Sequence, residues 1–414
     1  MAPEPLIFHI DVNSAFLSWE SVRRLAEDSG TLDLRTIPSA VGGDASLRHG
    51  IVLAKSTPAK AYGIITGEPI SHALRKCPAL TVVPARFDVY LEKSGELMEL
   101  LSDYTPDIEK FSIDEAFLDM TSTIHLFGPP LEVANQIRER IWRELGFTVN
   151  IGIAPNKLLA KMASDFKKPN LCHTLFAHEI PSKMWPLPIR ELFFVGHSAQ
   201  KKLEGIGIHT IGELAACNVS HLKRLLGGKY ALLIHDYACG IDSSPVAERE
   251  PLNKGYGNST TLSHDVDDLE VARQVLLSLS ETVGARLRAD HVLSDCVCVE
   301  IKDWNFQTKS HQVTLNNPTD STTVIYESAC KLLEELWDRT PLRLIGVRTT
   351  KISEEGFCQL SLFESEQARK MKEMEKAVDH IRSKFGTDSV KRASFLKKDA
   401  IVDHTSGRGK SGIK

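Results

Sequence analysis

The sequence predicts a multidomain α+β protein. At 414 residues the chain is longer than one compact hydrophobic core usually organises, which indicates about two to four domains. The first part alternates strand-like and helix-like patterns around a hairpin-like segment, and this mixture favours α+β over a doubly wound parallel sheet. A charged stretch with two prolines, residues 240–253, separates this part from a second unit of alternating strands and helices.

Composition places the chain among ordinary globular proteins. Hydrophobic residues make up 42% and charged residues 25% of it, so packed cores are expected and global disorder is excluded. The eight cysteines form no CxxC pair and no Cys/His zinc spacing, which favours reduced thiols. Since the sequence has no signal segment and no apolar run approaching about 18 residues, we expect a cytoplasmic protein that does not enter a membrane.

The charge of the chain is unevenly distributed. The net charge of −4 counts mildly against a nucleic-acid partner, because such proteins are often basic. Residues 367–414, however, hold 13 Lys/Arg against 6 Asp/Glu. Runs of this kind are usually solvated surface, so this basic segment gives DNA binding only weak support.

The first unit opens with a strand followed by a helix. Residues 6–12 are mainly apolar, and Phe16, Trp19 and Leu25 then recur at helical spacing up to Gly30. Glycines and prolines interrupt the pattern of residues 33–85, which predicts a small α/β insertion. The remaining predicted elements of this unit are a helix over 90–104, a hairpin over 111–120, a helix over 131–145 and a strand over 148–153.

The rest of the chain is predicted to contain short helices, a linker and a second α+β unit. The pattern of residues 189–239 predicts short helices, and that of residues 257–353 predicts alternating strands and helices. A last helix is predicted over 364–385, and Gly386 is expected to end it. The expected apolar stripe of this helix consists of Met371, Met374, Val378, Ile381 and Phe385.

Three carboxylates stand in apolar surroundings. Asp11 ends the first strand, and Asp114 and Glu115 interrupt the run from Ser112 to Asp119. Neighbouring residues of a regular strand point to opposite faces, so the pair serves one site only at a turn or a distorted strand end. Burying unpaired carboxylates is costly, which predicts a metal ion or a basic partner. The structural alternatives are an N-cap role for Asp11 and a buried salt-bridge network for the trio.

A divalent metal site is the favoured interpretation of these carboxylates. Three carboxylates on one cleft suit Mg²⁺, a hard ion that prefers oxygen ligands and substrate phosphates. Two such ions lower the pKa of an attacking hydroxyl and neutralise a leaving pyrophosphate. The main-chain carbonyl of Val12 is expected to complete the ligand set of Asp11, Asp114 and Glu115.

Several motifs in a fixed order carry a resemblance to a known family. IDVNSAF at residues 10–16 and SIDEAFLD at residues 112–119 resemble the two metal-binding motifs of Y-family, DNA polymerase IV-like translesion polymerases. GIAPNKLLAKMAS at residues 152–164, followed by KKPN, resembles the palm segment that follows in that family. GNSTTL at residues 257–262 and RLIGVR at residues 343–348 resemble the two ends of its little-finger domain. The resemblance therefore covers nearly all of the chain.

The resemblance implies a right-hand polymerase. The implied activity is template-directed DNA synthesis from dNTPs on primer-template DNA, with two Mg²⁺ ions, low fidelity and tolerance of damaged templates. The enzyme is expected to be a monomer. The implied domains are a palm (1–14 and 86–175), fingers (15–85), a helix-hairpin-helix-like thumb (176–244), a linker (245–253), a little finger (254–353) and a C-terminal tail (354–414).

The same motifs imply roles for individual residues. Asp11 and Asp114 would bridge the two metals, and Glu115 would ligate the catalytic ion. Phe16 stands where the family has an aromatic steric gate, a flat ring that leaves no room for a ribose 2′-hydroxyl; an ordinary core phenylalanine is the alternative. Lys168 would contact the triphosphate as a mobile point charge rather than remain a surface lysine.

The sequence departs from the family pattern in the fingers and the thumb. Thr57 and Lys60 stand where polymerase IV proteins have a tyrosine and an arginine that grip the phosphates, so an ammonium replaces the bidentate guanidinium. Both residues are still expected to bind the dNTP, in a manner closer to the UmuC-type branch. Ala15 replaces the aromatic residue before the gate, and residues 195–197 lack the usual Gly-x-Gly turn of the thumb.

A short motif near the C-terminus suggests a protein partner. Gln359, Leu360, Ser361, Leu362 and Phe363 resemble the pentapeptide with which bacterial polymerases dock on the β sliding clamp. Gln359 would hydrogen-bond at the rim of the clamp pocket, while Leu362 and Phe363 would fill its apolar slot.

Two other functions share part of this pattern. A non-catalytic DNA- and clamp-binding accessory would keep the fold, but it has no need for the three carboxylates and Phe16. A nucleotidyl cyclase would share the palm chemistry, but it has no use for a thumb, a little finger or a clamp motif. The sequence therefore favours a DNA polymerase.

Overall fold

The apolar segments of the chain assemble around separate cores in two units. The structure, a computed structural model, describes residues 4–43, 50–246, 253–354 and 366–395. The described residues up to 246 form the first unit, and those from 253 onward form the second. Helices and mixed sheets occur in this architecture, which confirms the predicted α+β class.

A five-stranded sheet forms the centre of the first unit. Its strands are β1 (Ile7–Val12), β5 (Ile108–Lys110), β6 (Glu115–Asp119), β7 (Val149–Ala154) and β8 (Cys172–Thr174). They lie in the order β5-β6-β1-β7-β8, and all neighbours are antiparallel except β7 and β8. Every residue of β1 is buried, as its continuous apolar run predicts. The end of this central strand carries Asp11.

Four helices accompany this sheet. They are α1 (Ala15–Glu27), α4 (Phe87–Ser102), α5 (Pro130–Leu145) and α6 (Lys157–Ser164). The helix predicted over 131–145 is thus confirmed, and it ends at Gly146 in the left-handed conformation at φ 77°. Trp19 and Tyr90 are fully buried and join α1 to α4 in the core.

A smaller sheet and a group of short helices complete the first unit. The small sheet has the order β3-β2-β4, made of β2 (Ser39–Gly42), β3 (Val52–Lys55) and β4 (Thr81–Pro84), and it accompanies α2 (Thr57–Ala61) and α3 (Ile70–Lys76). Short α-helices follow, all but the first within residues 189–239, whose pattern predicts them, and their apolar residues pack in one cluster with Ile7, Phe117 and residues of α6. They are α7 (Ile180–Lys183), α8 (His197–Glu204), α9 (Ile211–Ala216), α10 (Val219–Leu226) and α11 (Gly228–Ala238).

The second unit is built on one antiparallel sheet. Its strands are β9 (Gly255–Val266), β10 (Val292–Asp303), β11 (Thr308–Thr319) and β12 (Leu342–Glu354), in the order β11-β10-β12-β9. Two helices, α12 (Leu269–Ala289) and α13 (Thr322–Leu336), contribute most of the remaining apolar residues of its core.

The last long helix, α14 (Glu366–Phe385), makes a buried contact through a charged residue. Glu375 is only 4% exposed, and its Oε2 lies 3.2 Å from Nη1 of the buried Arg288 of α12. This buried contact is charged, and hydrophobic spacing does not reveal a charged partner far away in the chain. Three members of the predicted stripe are exposed, namely Met374, Ile381 and Phe385.

Two general features bear on the sequence expectations. Across the part of the chain that the structure describes, no helix combines the length and the apolar character that crossing a bilayer requires. Every cysteine in the same residues is a free thiol.

Candidate active site

The three predicted carboxylates lie together at neighbouring strand ends. Asp11 in β1 is the antiparallel register partner of Glu115, the first residue of β6. The N–H of Val12 donates to the main-chain carbonyl of Asp114 at 3.0 Å, which fixes the residue before β6 against the end of β1. Asp114 therefore precedes the regular strand, so it and Glu115 are not forced to opposite faces of it.

The carboxylates crowd one another in a poorly solvated place. Burial, together with the negative charge of Asp11, raises the pKa of Asp114, although the Ser112 hydroxyl donates to its Oδ1 at 2.7 Å. Burial raises the pKa of Glu115 to about 7, against the opposing effect of Lys161. Like charges held close together in low dielectric disfavour ionisation, and a cation relieves this cost.

Two lysines supply positive charge at this point. Lys161 Nζ lies 2.5 Å from Glu115 Oε1 and 3.5 Å from Asp11 Oδ2, and Lys168 Nζ lies 2.9 Å from the same Asp11 oxygen. Burial acts to lower the pKa of each lysine, but nearby carboxylates outweigh it and raise both pKa values, Glu115 foremost for Lys161 and Asp11 foremost for Lys168.

Close packing of α6 on β7 brings Lys161 to the carboxylates. A Cβ on Gly152 would meet the carbonyl oxygen of Ala160 at 1.9 Å, so only glycine allows the helix this near the strand. The loop that carries Lys168 is held separately. The buried Asn150 side chain donates to the carbonyl of Lys167 at 2.8 Å.

His9 lies behind Glu115 and is fully buried. The hydroxyl of Ser164 donates to the carbonyl of Lys161 at 2.8 Å, so its oxygen accepts from Nδ1 of His9, also at 2.8 Å. Burial, with the charges of Lys161 and Lys168, holds the pKa of His9 well below its usual value. The neutral ring thus presents its Nε2 to Glu115 Oε2 at 3.9 Å.

A cleft of about 330 Å³ opens beside Asp11 and Asp114. Phe16 lines it, and the ring of Phe16 stacks on that of Tyr90 with centroids 4.8 Å apart and an interplanar angle of 12°. Phe87 adds an edge-on contact to Phe16 at 5.8 Å. These contacts fix the ring at the wall of the cleft, so Phe16 is a lining residue as well as part of the apolar core.

The lining of the cleft also includes basic residues. Lys60 lines the cleft, together with Lys55 and Thr66, whose hydroxyl lies 3.3 Å from Lys55 Nζ. Burial and the charge of Lys60 lower the pKa of Lys55, as expected for ammonium groups held near each other. Thr57, the first residue of α2, is exposed and is not among the lining residues, so the structure does not bring it to the cleft.

The first turn of α1 also faces this cleft. Ser14 adopts the left-handed conformation at φ 49°, and its side chain does not cap the helix. Ser14, Ala15 and Phe16 line the cleft, so this helix begins beside it. A helix N-terminus favours anions through its unsatisfied N–H groups and its dipole.

The donor chemistry fits hard divalent cations. Carboxylate oxygens of Asp11, Asp114 and Glu115 and the carbonyl of Val12 are the ligands that Mg²⁺ prefers. In the described ranges, however, no group of three or more His, Cys, Asp or Glu side chains is already arranged to hold an ion. The ammonium groups of Lys161 and Lys168 lie against these oxygens instead.

Sequence reasoning missed four residues of this site. Lys161 lies in a motif that was recognised, but nothing in a local pattern indicates that it contacts Glu115, 46 residues away. Lys55 follows Leu53 on the same face of β3, and this period-two spacing was the available signal. His9 precedes Asp11 by two residues and gave no signal of its own, nor did Thr66.

The proposed clamp motif, residues 359–363, lies outside the described residues.

Family models match three parts of the chain. The impB/mucB/samB family model matches residues 10–165, and the model of the C-terminal domain of that family matches residues 253–362. A model described as the DNA polymerase-iota thumb domain matches residues 191–242. The matched segments follow one another in the order that the motifs predict.

Relatives over the whole length agree with these matches. A DNA polymerase IV of Clostridium acetobutylicum is 44% identical over 394 residues, which cover 95% of this chain and 99% of the relative. DNA polymerase IV 1 of Bacillus subtilis is 39% identical over 397 residues, which cover 95% of this chain and 94% of the relative. A solved Y-family DNA polymerase chimera shares the fold with a TM-score of 0.71 at 24% identity, covering 84% of this chain and 99% of the chimera.

Proposed function

The chain belongs to the impB/mucB/samB family of Y-family polymerases and is a DNA-directed DNA polymerase of translesion synthesis, and from this we propose that it adds dNTPs to a primer 3′-hydroxyl by a two-metal mechanism with low fidelity. The observation that supports the mechanism best is the convergence of Asp11, Asp114 and Glu115 at adjoining strand ends beside an open cleft.

The carboxylates would hold two Mg²⁺ ions. Asp11, Asp114 and Glu115 would hold the ions through their carboxylate oxygens, and the carbonyl of Val12 would complete the ligand set. When bound, the ions lower the pKa of the primer hydroxyl and neutralise the leaving pyrophosphate. The residues of the chain position the reactants. Strands β1 and β6 hold the metal ligands in place, and His9 and Lys161 lie next to Glu115 inside the protein.

The cleft would receive the nucleotide with its sugar against Phe16. A rigid ring, held by Tyr90 and Phe87, excludes a ribose 2′-hydroxyl by contact rather than by charge. The triphosphate would lie near the first turn of α1 and the ammonium group of Lys60, which line the cleft, and would also contact Lys168, which lies against Asp11. Thr57 was expected to join them, but it is exposed and does not line the cleft.

The remaining parts of the chain would bind the DNA and the clamp. The short helices of residues 176–244 and the sheet of residues 254–353 would serve as thumb and little finger along the duplex, with a linker at residues 245–253. Residues 359–363 would bind the β sliding clamp. The enzyme would work as a monomer in the cytoplasm, where its DNA substrate lies. By analogy with the family, small fingers with Gly and Ala residues would leave a roomy site and low fidelity.

Primer extension tests this proposal against the two alternatives. The full chain is incubated with primer-template DNA, Mg²⁺ and all four dNTPs, and separately with ATP or dATP without DNA. Lengthening of the primer supports the polymerase. Binding of the DNA without extension would favour an accessory protein, and a cyclic nucleotide formed without primer would favour a cyclase.

A further inference from the structure

Two ammonium groups lie on the carboxylates that we assign to the metals. Lys161 contacts Glu115 and Asp11, and Lys168 contacts Asp11 Oδ2 at 2.9 Å. A divalent ion needs these same oxygens. In this structure, each lysine therefore competes with the metal ions for these carboxylate oxygens.

The two lysines differ in how easily they can leave. Lys161 has a side chain that is 10% exposed, extends from the packed helix α6 and lies within 3.6 Å of three carboxylates, namely Glu115, Asp11 and Asp165. Lys168 has a side chain that is 31% exposed, follows α6 in a loop and contacts two, Asp11 and Asp165. Long flexible side chains at partly solvated sites exchange partners at low cost. Lys168 is the one that can move.

We propose that Lys168 is a releasable cation on Asp11, which the triphosphate of an incoming nucleotide draws away and so frees the carboxylate for the metals. The inference rests on the proposed function, in which Lys168 binds the triphosphate. A triphosphate carries more negative charge than the two carboxylates of Asp11 and Asp165 that Lys168 contacts, so it competes well for the ammonium. The same lysine cannot remain at 2.9 Å from an oxygen that binds a divalent ion without strong repulsion.

This exchange couples two binding events. Without nucleotide, Lys168 weakens metal binding at Asp11; with nucleotide, the lysine changes partner and the metals bind more tightly. Coupling between two ligands is reciprocal, so the metals also strengthen nucleotide binding. Lys161 stays at Glu115 in both states and balances part of the negative charge.

Binding of Mn²⁺ to the nucleotide-free full chain tests the proposal directly. Mn²⁺ is followed by the electron paramagnetic resonance signal of the free ion, which needs no catalysis. The Lys168→Met variant is expected to bind Mn²⁺ about tenfold more tightly than the wild type, because one positive charge beside the site is removed. Lys168→Arg keeps the charge and is expected to retain the weak wild-type affinity. Lys167→Met, a change at the exposed neighbour, is the matched control and should leave the affinity unchanged.

The site and the coupling are checked in the same experiment. Asp11→Asn should remove the tightened binding from the Lys168→Met background, which places the ion at Asp11. A non-hydrolysable dNTP analogue should tighten Mn²⁺ binding more in the wild type than in Lys168→Met, after correction for Mn²⁺ bound by the free analogue. Unchanged or weaker Mn²⁺ binding by Lys168→Met overturns the proposal. Primer extension by the wild type then distinguishes failure of this proposal from failure of the proposed function. If the wild type extends the primer but Lys168→Met does not bind Mn²⁺ more tightly, only the role of Lys168 is rejected. If the wild type does not extend the primer, the polymerase function is rejected.

Discussion

Phe16 is the residue on which sugar selection depends in the proposed mechanism. Its ring stacks on Tyr90 and is held edge-on by Phe87, so it cannot turn aside for a larger sugar without disturbing the core. The alternative role, that of an ordinary core phenylalanine, is compatible with a steric gate, because the ring both packs on the core and lines the cleft.

We predict that Phe16→Ala admits ribonucleotides. Removal of the ring opens space beside the sugar, so the ratio of kcat/KM for a dNTP to that for the matching rNTP should fall by about tenfold or more. Single-nucleotide incorporation with both substrates measures it. Phe16→Tyr keeps the ring and is the control, which should retain a strong preference for the dNTP over the rNTP. Unchanged sugar selection in Phe16→Ala would show that the gate lies elsewhere.

Single residues also show how far sequence reasoning reaches. The need of Asp11, Asp114 and Glu115 for a cation was predictable, because acids in apolar strands need a partner, and their grouping in one site was implied by the family motifs. The identity of the cation near them was not, because Lys161 and Lys168 come from a helix and a loop that only the tertiary structure brings there. The prediction for Thr57 followed a family position, whereas the structure places Lys55 at the cleft.

At the scale of elements, the contact between α6 and β7 decides where Lys161 lies. Gly152 allows the carbonyl of Ala160 and the N–H of Ser164 to approach the strand, and a Cβ there would stand 1.9 Å and 2.6 Å from them. Both are backbone atoms, so relief requires movement of the whole helix.

We predict that Gly152→Ala destabilises the first unit and disturbs the site. Overpacking of this kind costs about 1–3 kcal/mol or more of the free energy of unfolding, and urea titration followed by circular dichroism measures it. Gly95→Ala is a matched control in the exposed face of α4, where a Cβ meets nothing within 4 Å; helix propensity favours it by about 0.5–1 kcal/mol. Equal stability of the two variants would contradict the described packing.

Elements with strong periodicity were predictable and their partners were not. The strand over 6–12 and the helix over 131–145 appear within one residue of their expected bounds. The helix expected over 90–104 begins three residues earlier, at Phe87. The buried contact of α14 could not be predicted, because Glu375 pairs with Arg288 of α12, 87 residues away in the chain, and no local pattern encodes that ion pair.

At the scale of the whole molecule, the chain combines a unit with the active site and a second unit with its own core. The division into palm, fingers, thumb and little finger remains a prediction from the motifs. So does the clamp contact, since residues 359–363 lie outside the described ranges.

We predict that the clamp motif retains the chain on immobilised β clamp. Replacement of both Leu362 and Phe363 by alanine should abolish most of the retention, because two apolar anchors of a short motif supply most of its binding energy. Replacement of the exposed Met374 and Ile381 of α14 by alanine is the control and should leave retention intact. Equal capture of the wild type and the double alanine variant would refute the motif.

The central claim is that Asp11, Asp114 and Glu115 make this chain a polymerase, and the incorporation of one correct dNTP by Asp114→Asn tests it most directly. Asparagine has nearly the same shape but no charge, so it keeps the fold and loses the ligand. The account predicts that the wild type extends the primer in saturating Mg²⁺ and that Asp114→Asn is slower by about three orders of magnitude, corresponding to several kcal/mol of lost transition-state stabilisation. Extension by Asp114→Asn at the wild-type rate would contradict it.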